Sequence, residues 1–328
     1  MKILYAIQGT GNGHLSRSMD IVPLLQKVAE VDVLVSGTQG DLTLPFPVKY
    51  RFNGFGFIFG KSGGVDLWKS FYKSRFRNFL KEINKVPVQE YDLVINDFEP
   101  VSAWACYLKD KPCIGLSHQA AVLSEHSPKP DDTDMIGKLI LKNYAPTTEQ
   151  YGFHFAPFDN NIFTPVIRQQ VRDQQVKNLG HYTVYLPAYD DKRLIKKLSQ
   201  FDNIEWEVFS KHNNKVKKLK NILIQPINNE DFIKSMAHSA GVFCGAGFET
   251  PAEALFLKKK LLVIPMKSQY EQHLNAAALK FIGVPVIKSL KAKHDPVISD
   301  WLENGKPVDV DYPNKTKEIL DLVLRKHS

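Results

Sequence analysis

Two stretches of this 328-residue chain set glycines beside polar residues in a spacing that suits phosphate chemistry. In AIQGTGNGHLSRSMD, beginning at Ala6, Gly9, Gly11 and Gly13 open the backbone to conformations and close approaches that a side chain blocks, and His14 follows directly. In GVFCGAGFETPAEALF, beginning at Gly241, the run Gly245, Ala246, Gly247 ends an apolar strand pattern and Thr250 stands at the head of a helical one. Pro251 suits that helix's first turn because it lacks the amide that would need a partner there. Open amides and the positive end of the helix dipole attract phosphate, each charge interaction contributing about 0.3–1 kcal/mol when exposed and up to about 2 kcal/mol when partly buried. An unperturbed imidazole, with a pKa of about 6.5, can act as a base at neutral pH.

The elements that must position these turns alternate along the chain. KILYAIQ, VDVLVSG, YDLVINDFEP and KPCIGLSHQ read as apolar strands separated by helical stretches, the first with Ile21, Leu24, Leu25 and Val28 on one face. Residues 124–134 read as a loop, and FAPFDNNIFTPVIRQQ, near 155–170, as a linker. A second strand and helix series starts at HYTVYLPAY, and NKTKEILDLVLRKHS forms a last helix with Ile319, Leu320, Val323 and Leu324 available to pack. The expected class is α/β, with two Rossmann-like domains of parallel strands, 1–160 and 161–328, the last helix able to return to the first domain. Two such sheets make a cleft at the carboxyl ends of their strands, where their ligands bind.

Composition narrows the partner classes. With 43% hydrophobic and 24% charged residues the chain is globular, and a formal charge of +8 with a pI near 9.1 favours an anionic partner. No run approaches the roughly 18–20 apolar residues that span a bilayer, and no signal pattern opens the chain, so a cytoplasmic location is expected. Cys106, Cys113 and Cys244 sit in apolar surroundings without metal-ligand spacing and read as small core residues. Nucleic-acid binding has charge in its favour but no recognisable module. GTGNGH does not complete Gly-x-Gly-x-x-Gly, which argues against a nicotinamide enzyme.

Residues 241–283, taken with GTGNGH, resemble the GT-B glycosyltransferases, particularly the lipid-linked N-acetylglucosaminyltransferases of peptidoglycan synthesis and related UDP-sugar enzymes. The resemblance implies an inverting, metal-independent transfer of a sugar from a nucleotide donor, UDP-linked, to a lipid-linked or glycan acceptor of the cell envelope. It implies no cofactor beyond the nucleotide-sugar co-substrate. Gly245, Ala246, Gly247 and Thr250 match the loop that holds the donor diphosphate. Glu253 matches the acid that binds the ribose hydroxyls, and a carboxylate can accept from both at once. Glu271 and Gln272 match the pair that reads the donor sugar, with Asn275 supporting their helix, while Asn229 and Phe232 fall where the family places the base. The chain departs from its relatives at Gly245, where they carry arginine or histidine, and at Lys258, Lys259 and Lys260, which read as a solvated turn in place of Gly-x-Pro.

The same resemblance makes His14 the candidate base, against a histidine bonded to backbone or to a ligand. Asp97 either orients His14 or is itself the base, and both Asp97 and Glu99 have a helix cap or strand-end bond as their plainer role. Gly11, Gly13, Ser16, His118 and Gln119 are candidates for an acceptor or phosphate contact, and Arg17 for phosphate or for solvent. The Asp-x-Asp runs ending at 134 and 311 lie in loop-like contexts and are not read as metal ligands. In VDLWKSFYKSRFRNFLKEINK, Trp68, Phe71, Phe76, Phe79 and Ile83 form one helical face and Lys69, Lys73, Arg77 and Lys81 another, which reads either as peripheral membrane contact through 54–83 or as an ordinary packed helix. Two other functions share the architecture: a UDP-sugar 2-epimerase, and a binding protein without turnover.

Overall fold

The computed structural model describes residues 1–37, 42–54, 76–131, 134–267 and 269–327. The chain divides into two compact units, the first being Met1–Ser127, Asp132–Arg168 and Pro313–Ser328, and the second Pro128–Asp131 and Gln169–Tyr312. The division thus falls at 168/169, and the last helix joins the first unit.

The described elements of the first unit are β1 (Lys2–Gln8), α1 (Asn12–Leu25), β2 (Glu30–Ser36), β3 (Tyr50–Phe52), α2 (Phe76–Lys85), β4 (Leu93–Asp97), α3 (Pro100–Leu108), β5 (Ile114–Ser117), α4 (His118–Leu123), α5 (Met135–Asn143), β6 (Glu149–Phe153) and β7 (Ile162–Phe163). The second unit follows with α6 (Gln169–Arg172), β8 (Tyr182–Tyr185), α7 (Asp191–Leu198), β9 (Trp206–Ser210), β10 (Lys217–Leu219), β11 (Ile222–Pro226), α8 (Asn229–His238), β12 (Gly241–Gly245), α9 (Glu249–Phe256), β13 (Lys260–Ile264), α10 (Tyr270–Phe281) and α11 (Asp295–Glu303). Helix α12 (Thr316–His327) closes the chain.

The first sheet is parallel throughout, in the order β3-β2-β1-β4-β5-β6-β7. The second runs β10-β11-β9-β8-β12-β13, with β10 antiparallel on its edge and the rest parallel. Residues of β1 from Ile3 to Ile7 are fully buried, as are Val242 and Phe243 of β12, because a central parallel strand is covered on both faces and so needs an unbroken apolar run. In each sheet the strand order reverses beside its first strand, between β1 and β4 and between β8 and β12. Ligands of open α/β sheets bind at that reversal, beyond the carboxyl ends of the strands.

Two features differ from their sequence reading. The aromatic stripe, read either as a membrane contact or as an ordinary packed face, divides: Phe79 and Ile83 are buried with Leu4, Ala6 and Val94, whereas Phe76 of the stripe and Leu80 beside it are exposed next to Arg77 and Lys81. Trp68, Phe71, Lys69 and Lys73 lie outside the described residues. The lysine run is not a solvated turn, since Lys259 is 4% exposed and its Nζ donates to the carbonyls of Lys177 at 2.6 Å and Ser239 at 2.9 Å, while Lys260 donates to Leu302. In the Asp-x-Asp runs, Asp134 caps α5 through Gly137 and Asp309 pairs with Lys258, in keeping with their not being read as metal ligands. All three cysteines are buried and free, as small core residues are.

Burial pushes Lys259 down to about 8. Between that value and the ordinary lysine value the native state holds fewer protons than the unfolded chain, so stability rises with pH across this window and the cost of the buried ammonium is fully present below it. Lys259→Met is expected to flatten the rise, read as the urea midpoint at about pH 7 against that at about pH 10.

At the carboxyl end, α12 packs against α1. It is also tied to β6, where Lys326 pairs with Glu149 and the His327 Nε2–H lies 3.0 Å from the Tyr151 hydroxyl. These contacts explain why α12 belongs to the first unit.

Candidate active site

Both glycine turns lie at the strand-order reversals. In the first unit β1 leads into Gly9, whose added Cβ would meet Val35 Cγ1 at 2.9 Å and the Ser36 carbonyl at 3.0 Å, so only glycine lets the turn lie this close to β2. Gly11, at φ 104°, is the N-cap of α1 and has no side chain to offer as a cap. Gly13 follows in the first turn, where its carbonyl accepts the Ser16 hydroxyl at 2.9 Å. The helix then brings His14 and Arg17, three residues apart and hence on one face, to the end of β4.

There Asp97, fully buried, receives both. Its Oδ1 lies 2.8 Å from His14 Nδ1 and from Arg17 Nη2, and its Oδ2 lies 2.9 Å from Arg17 Nη2 and 3.3 Å from Arg17 Nε. Burial alone would raise the Asp97 carboxyl, but the Arg17 charge and the hydrogen bonds from His14 and Arg17 outweigh it and hold the group below the ordinary carboxylate value. An ionised carboxylate only accepts, so His14 donates through Nδ1 and keeps its lone pair on Nε2. The Gln119 amide lies 3.4 Å from that Nε2. Asp97, with both oxygens engaged by Arg17 and His14, is placed to orient the imidazole.

The neighbouring candidates separate into roles. Glu99 is the N-cap of α3: its carboxylate accepts from the amides of Val101 and Ser102, each at 2.6 Å, and from the Ser36 hydroxyl at 2.5 Å. Burial pushes its carboxyl up against those hydrogen bonds. His118 is 1% exposed and donates Nδ1–H to the Phe153 carbonyl at 2.7 Å, a strand-end bond that leaves Gln119 as the residue of this pair nearest His14. Arg17, read from sequence as a phosphate or solvent contact, is 1% exposed and paired with Asp97. Its partner stands 80 residues away, a pairing that local sequence cannot signal.

In the second unit β12 ends at Gly245 and α9 begins at Glu249. The Ala246 amide donates to the Ile264 carbonyl at 3.2 Å, and the Asn275 side chain donates to the Ala246 carbonyl at 3.2 Å. Ala246 therefore anchors the turn rather than offering its own amide, and buried Asn275 of α10 supports the turn as well as its helix. Past this anchor the surface opens: a Cβ at Gly247 would meet nothing within 4 Å, and the N-cap Phe248 makes no side-chain cap. Thr250, half-exposed, stands in the first turn, where amides have no partner inside the helix.

The other residues expected around a donor are distributed as follows. Glu253 is 2% exposed on α9. Glu271 is half-exposed in the first turn of α10. Gln272 accepts from the Met266 amide at 2.9 Å and donates to Gln269 at 2.6 Å. Asn229 opens α8 and donates to Gln170 at 3.0 Å, while Asn228 before it is the cap that sequence reading missed, accepting from the amides of Glu230 and Asp231. Phe232 packs edge-on against Phe209 at 5.1 Å and tilted against Tyr185 at 5.5 Å.

Two largely parallel sheets, each with a glycine turn at its strand-order reversal, and a last helix that joins the first unit are the elements of the GT-B fold. The chain belongs to glycosyl transferase family 1, whose family model matches residues 1–304. A search of curated proteins finds no match. Among solved structures, MurG of Acinetobacter baumannii is similar over 99% of each chain at 15% identity and a TM-score of 0.57. Arabidopsis thaliana UGT89C1 complexed with UDP-L-rhamnose matches over 99% of this chain and 94% of its own, at 12% identity and a TM-score of 0.59. The spinosyn rhamnosyltransferase SpnG complexed with thymidine diphosphate matches over 99% and 92%, at 12% and 0.52. These likenesses show the fold.

Proposed function

We propose that this glycosyltransferase moves a sugar from a UDP-linked donor to the hydroxyl of a lipid-linked or glycan acceptor, with inversion and without a metal ion. The observation that carries the reading is the Arg17–Asp97–His14 arrangement, which holds an imidazole by its Nδ1–H at the end of β4 and leaves Nε2 beside the Gln119 amide. In the proposed reaction His14 Nε2 takes the acceptor proton as the hydroxyl oxygen forms a bond to the anomeric carbon. The bond from that carbon to the diphosphate oxygen breaks on the opposite face, which inverts the configuration. The second unit receives the leaving charge at the Gly247–Thr250 turn, where helix dipole and amides stabilise it without reorganising. Glu253 is assigned to the ribose, Glu271 and Gln272 to the sugar, and Asn229 and Phe232 to the base.

The uridine assignment is supported by the UDP-L-rhamnose complex of the similar Arabidopsis enzyme. Support for a lipid-linked acceptor comes from exposed Phe76 and Leu80 beside Arg77 and Lys81 on α2, a basic and apolar surface suited to peripheral contact with an anionic bilayer at the cytoplasmic face. No described helix is long and apolar enough to cross a membrane.

The test is a panel of UDP-, GDP- and dTDP-sugars incubated with and without lipid and glycan acceptors. Release of UDP that depends on acceptor is expected. Conversion of the donor without acceptor would make the protein an epimerase, and absence of nucleotide binding would overturn both enzyme readings. Gly247→Glu places a carboxylate in the open anion seat, so UDP affinity is expected to fall at least about ten-fold with the melting temperature unchanged, read by calorimetric titration and thermal unfolding.

A further inference from the structure

Between Asp97 and Glu99 stands the one aromatic residue among the described non-glycine residues with a left-handed backbone: Phe98 has φ 57°, beside Asp110, Lys220 and Lys258. A bulky side chain in that region persists only where its surroundings over-determine it, and such outliers gather at functional sites. Here both neighbours are locked. Asp97 is held by Arg17 and His14. Glu99 is held by its helix cap and by Asn96, which accepts from the Glu99 amide at 2.9 Å and donates to the Glu99 carbonyl at 2.7 Å. The turn aims the half-buried Phe98 ring at His14, nearly parallel to the imidazole at 12° with centroids 6.4 Å apart. Tyr144 packs tilted on the Phe98 ring with centroids 4.9 Å apart, its hydroxyl accepting from Gln8 at 2.5 Å and its carbonyl from Trp104 at 3.2 Å.

We propose that Phe98 is a positioning residue for the transfer, its strained turn setting a ring, backed by Tyr144, that fixes the plane of the His14 imidazole while Asp97 fixes its tautomer. The role rests on His14 being the base. Asp97 alone leaves the imidazole free to rock about the Nδ1–Oδ1 line, and a base displaced by about 1 Å costs on the order of 10²-fold in rate.

The experiment uses the full chain labelled with ¹⁵N in its histidine rings, the His14 signals being assigned by their loss in His14→Gln. Wild type and Phe98→Tyr are expected to show one narrow set of Nδ1–H signals, and Phe98→Leu and Phe98→Gly to keep the Nδ1–H tautomer set by Asp97 but with broadened and shifted signals from a rocking ring. With UDP-N-acetylglucosamine or the UDP-sugar turned over in the panel, kcat is expected to fall about 10–100-fold in Phe98→Leu while KM for the donor stays within about two-fold. In the His14→Ala background the same change should have no further effect. Phe98→Gly, which relieves the backbone, is expected to melt above Phe98→Ala, separating lost positioning from lost stability. Unchanged His14 signals in both Phe98→Leu and Phe98→Gly, or an undiminished effect of Phe98→Leu without His14, would overturn the proposal. Ring order that Phe98 controls in a protein without UDP-sugar turnover would instead overturn the functional reading and leave the placement of Phe98 standing.

Discussion

Replacing His14 with alanine is expected to lower acceptor-dependent UDP release by about 10²–10⁴-fold, the usual contribution of a general base. The loss should fall on kcat. His14 touches Asp97, Arg17, Gln119 and Phe98, all in the first unit, whereas the open turn at Gly247 belongs to the second. UDP affinity should therefore match wild type, and initial rates over a donor series separate the two effects. A variant that keeps its turnover would show that another group takes the proton. One that loses turnover together with UDP affinity would show that His14 contacts the donor instead.

The second large effect is on stability. Arg17→Ala leaves the Asp97 carboxylate fully buried without its cation, and breaking a buried pair from one side costs about 3–5 kcal/mol. The urea midpoint at about pH 7 measures it. Because pairing lowers the Asp97 pKa, its stabilisation is present above the unfolded aspartate value and is lost as pH falls through the folded one. The gap between wild type and Arg17→Ala is accordingly expected to narrow in acid, where Asp97 takes up a proton. Replacing both residues, as Arg17→Met with Asp97→Leu, should restore much of the stability by removing the stranded charge, yet turnover should remain low because nothing then orients His14. If Arg17→Ala unfolds at the wild-type midpoint at neutral pH, the ion pair has been given too much weight.

Much of the fold was legible because local chemistry dictates it. KILYAIQ and GVFCG are unbroken apolar runs, as strands covered on both faces require, and each is followed by glycines where the chain must turn tightly into a helix. The positions of His14 and of the uncapped helix start were legible for the same reason, since turn, histidine and helix start are neighbours in sequence. What stayed hidden depends on partners distant in the chain. Arg17 resembles any arginine on a helix until Asp97 arrives from 80 residues away. Ala246 looked like an amide donor to phosphate, but the adjacent strand takes its amide and Asn275 its carbonyl. Lys259 looked solvated within a lysine run until two backbone carbonyls closed over its amine. The stripe containing Phe79 and Ile83 had helical periodicity but no signal of which face the sheet would cover.

Phe98 shows the converse. Its aromatic ring is ordinary in sequence, and only its left-handed backbone sets it apart, at a cost of about 1–3 kcal/mol for such a conformation. The locked residues on both sides explain how the chain sustains it.

The central claim, that the uncapped start of α9 seats the donor diphosphate, is tested most directly by amide hydrogen exchange across residues 245–253 with and without UDP. Saturating UDP should slow exchange at Gly247 and Thr250 and leave the already bonded Ala246 amide little changed. Bound UDP that leaves Gly247 and Thr250 exchanging at their free rates, with protection appearing on other elements of the second unit, would contradict it.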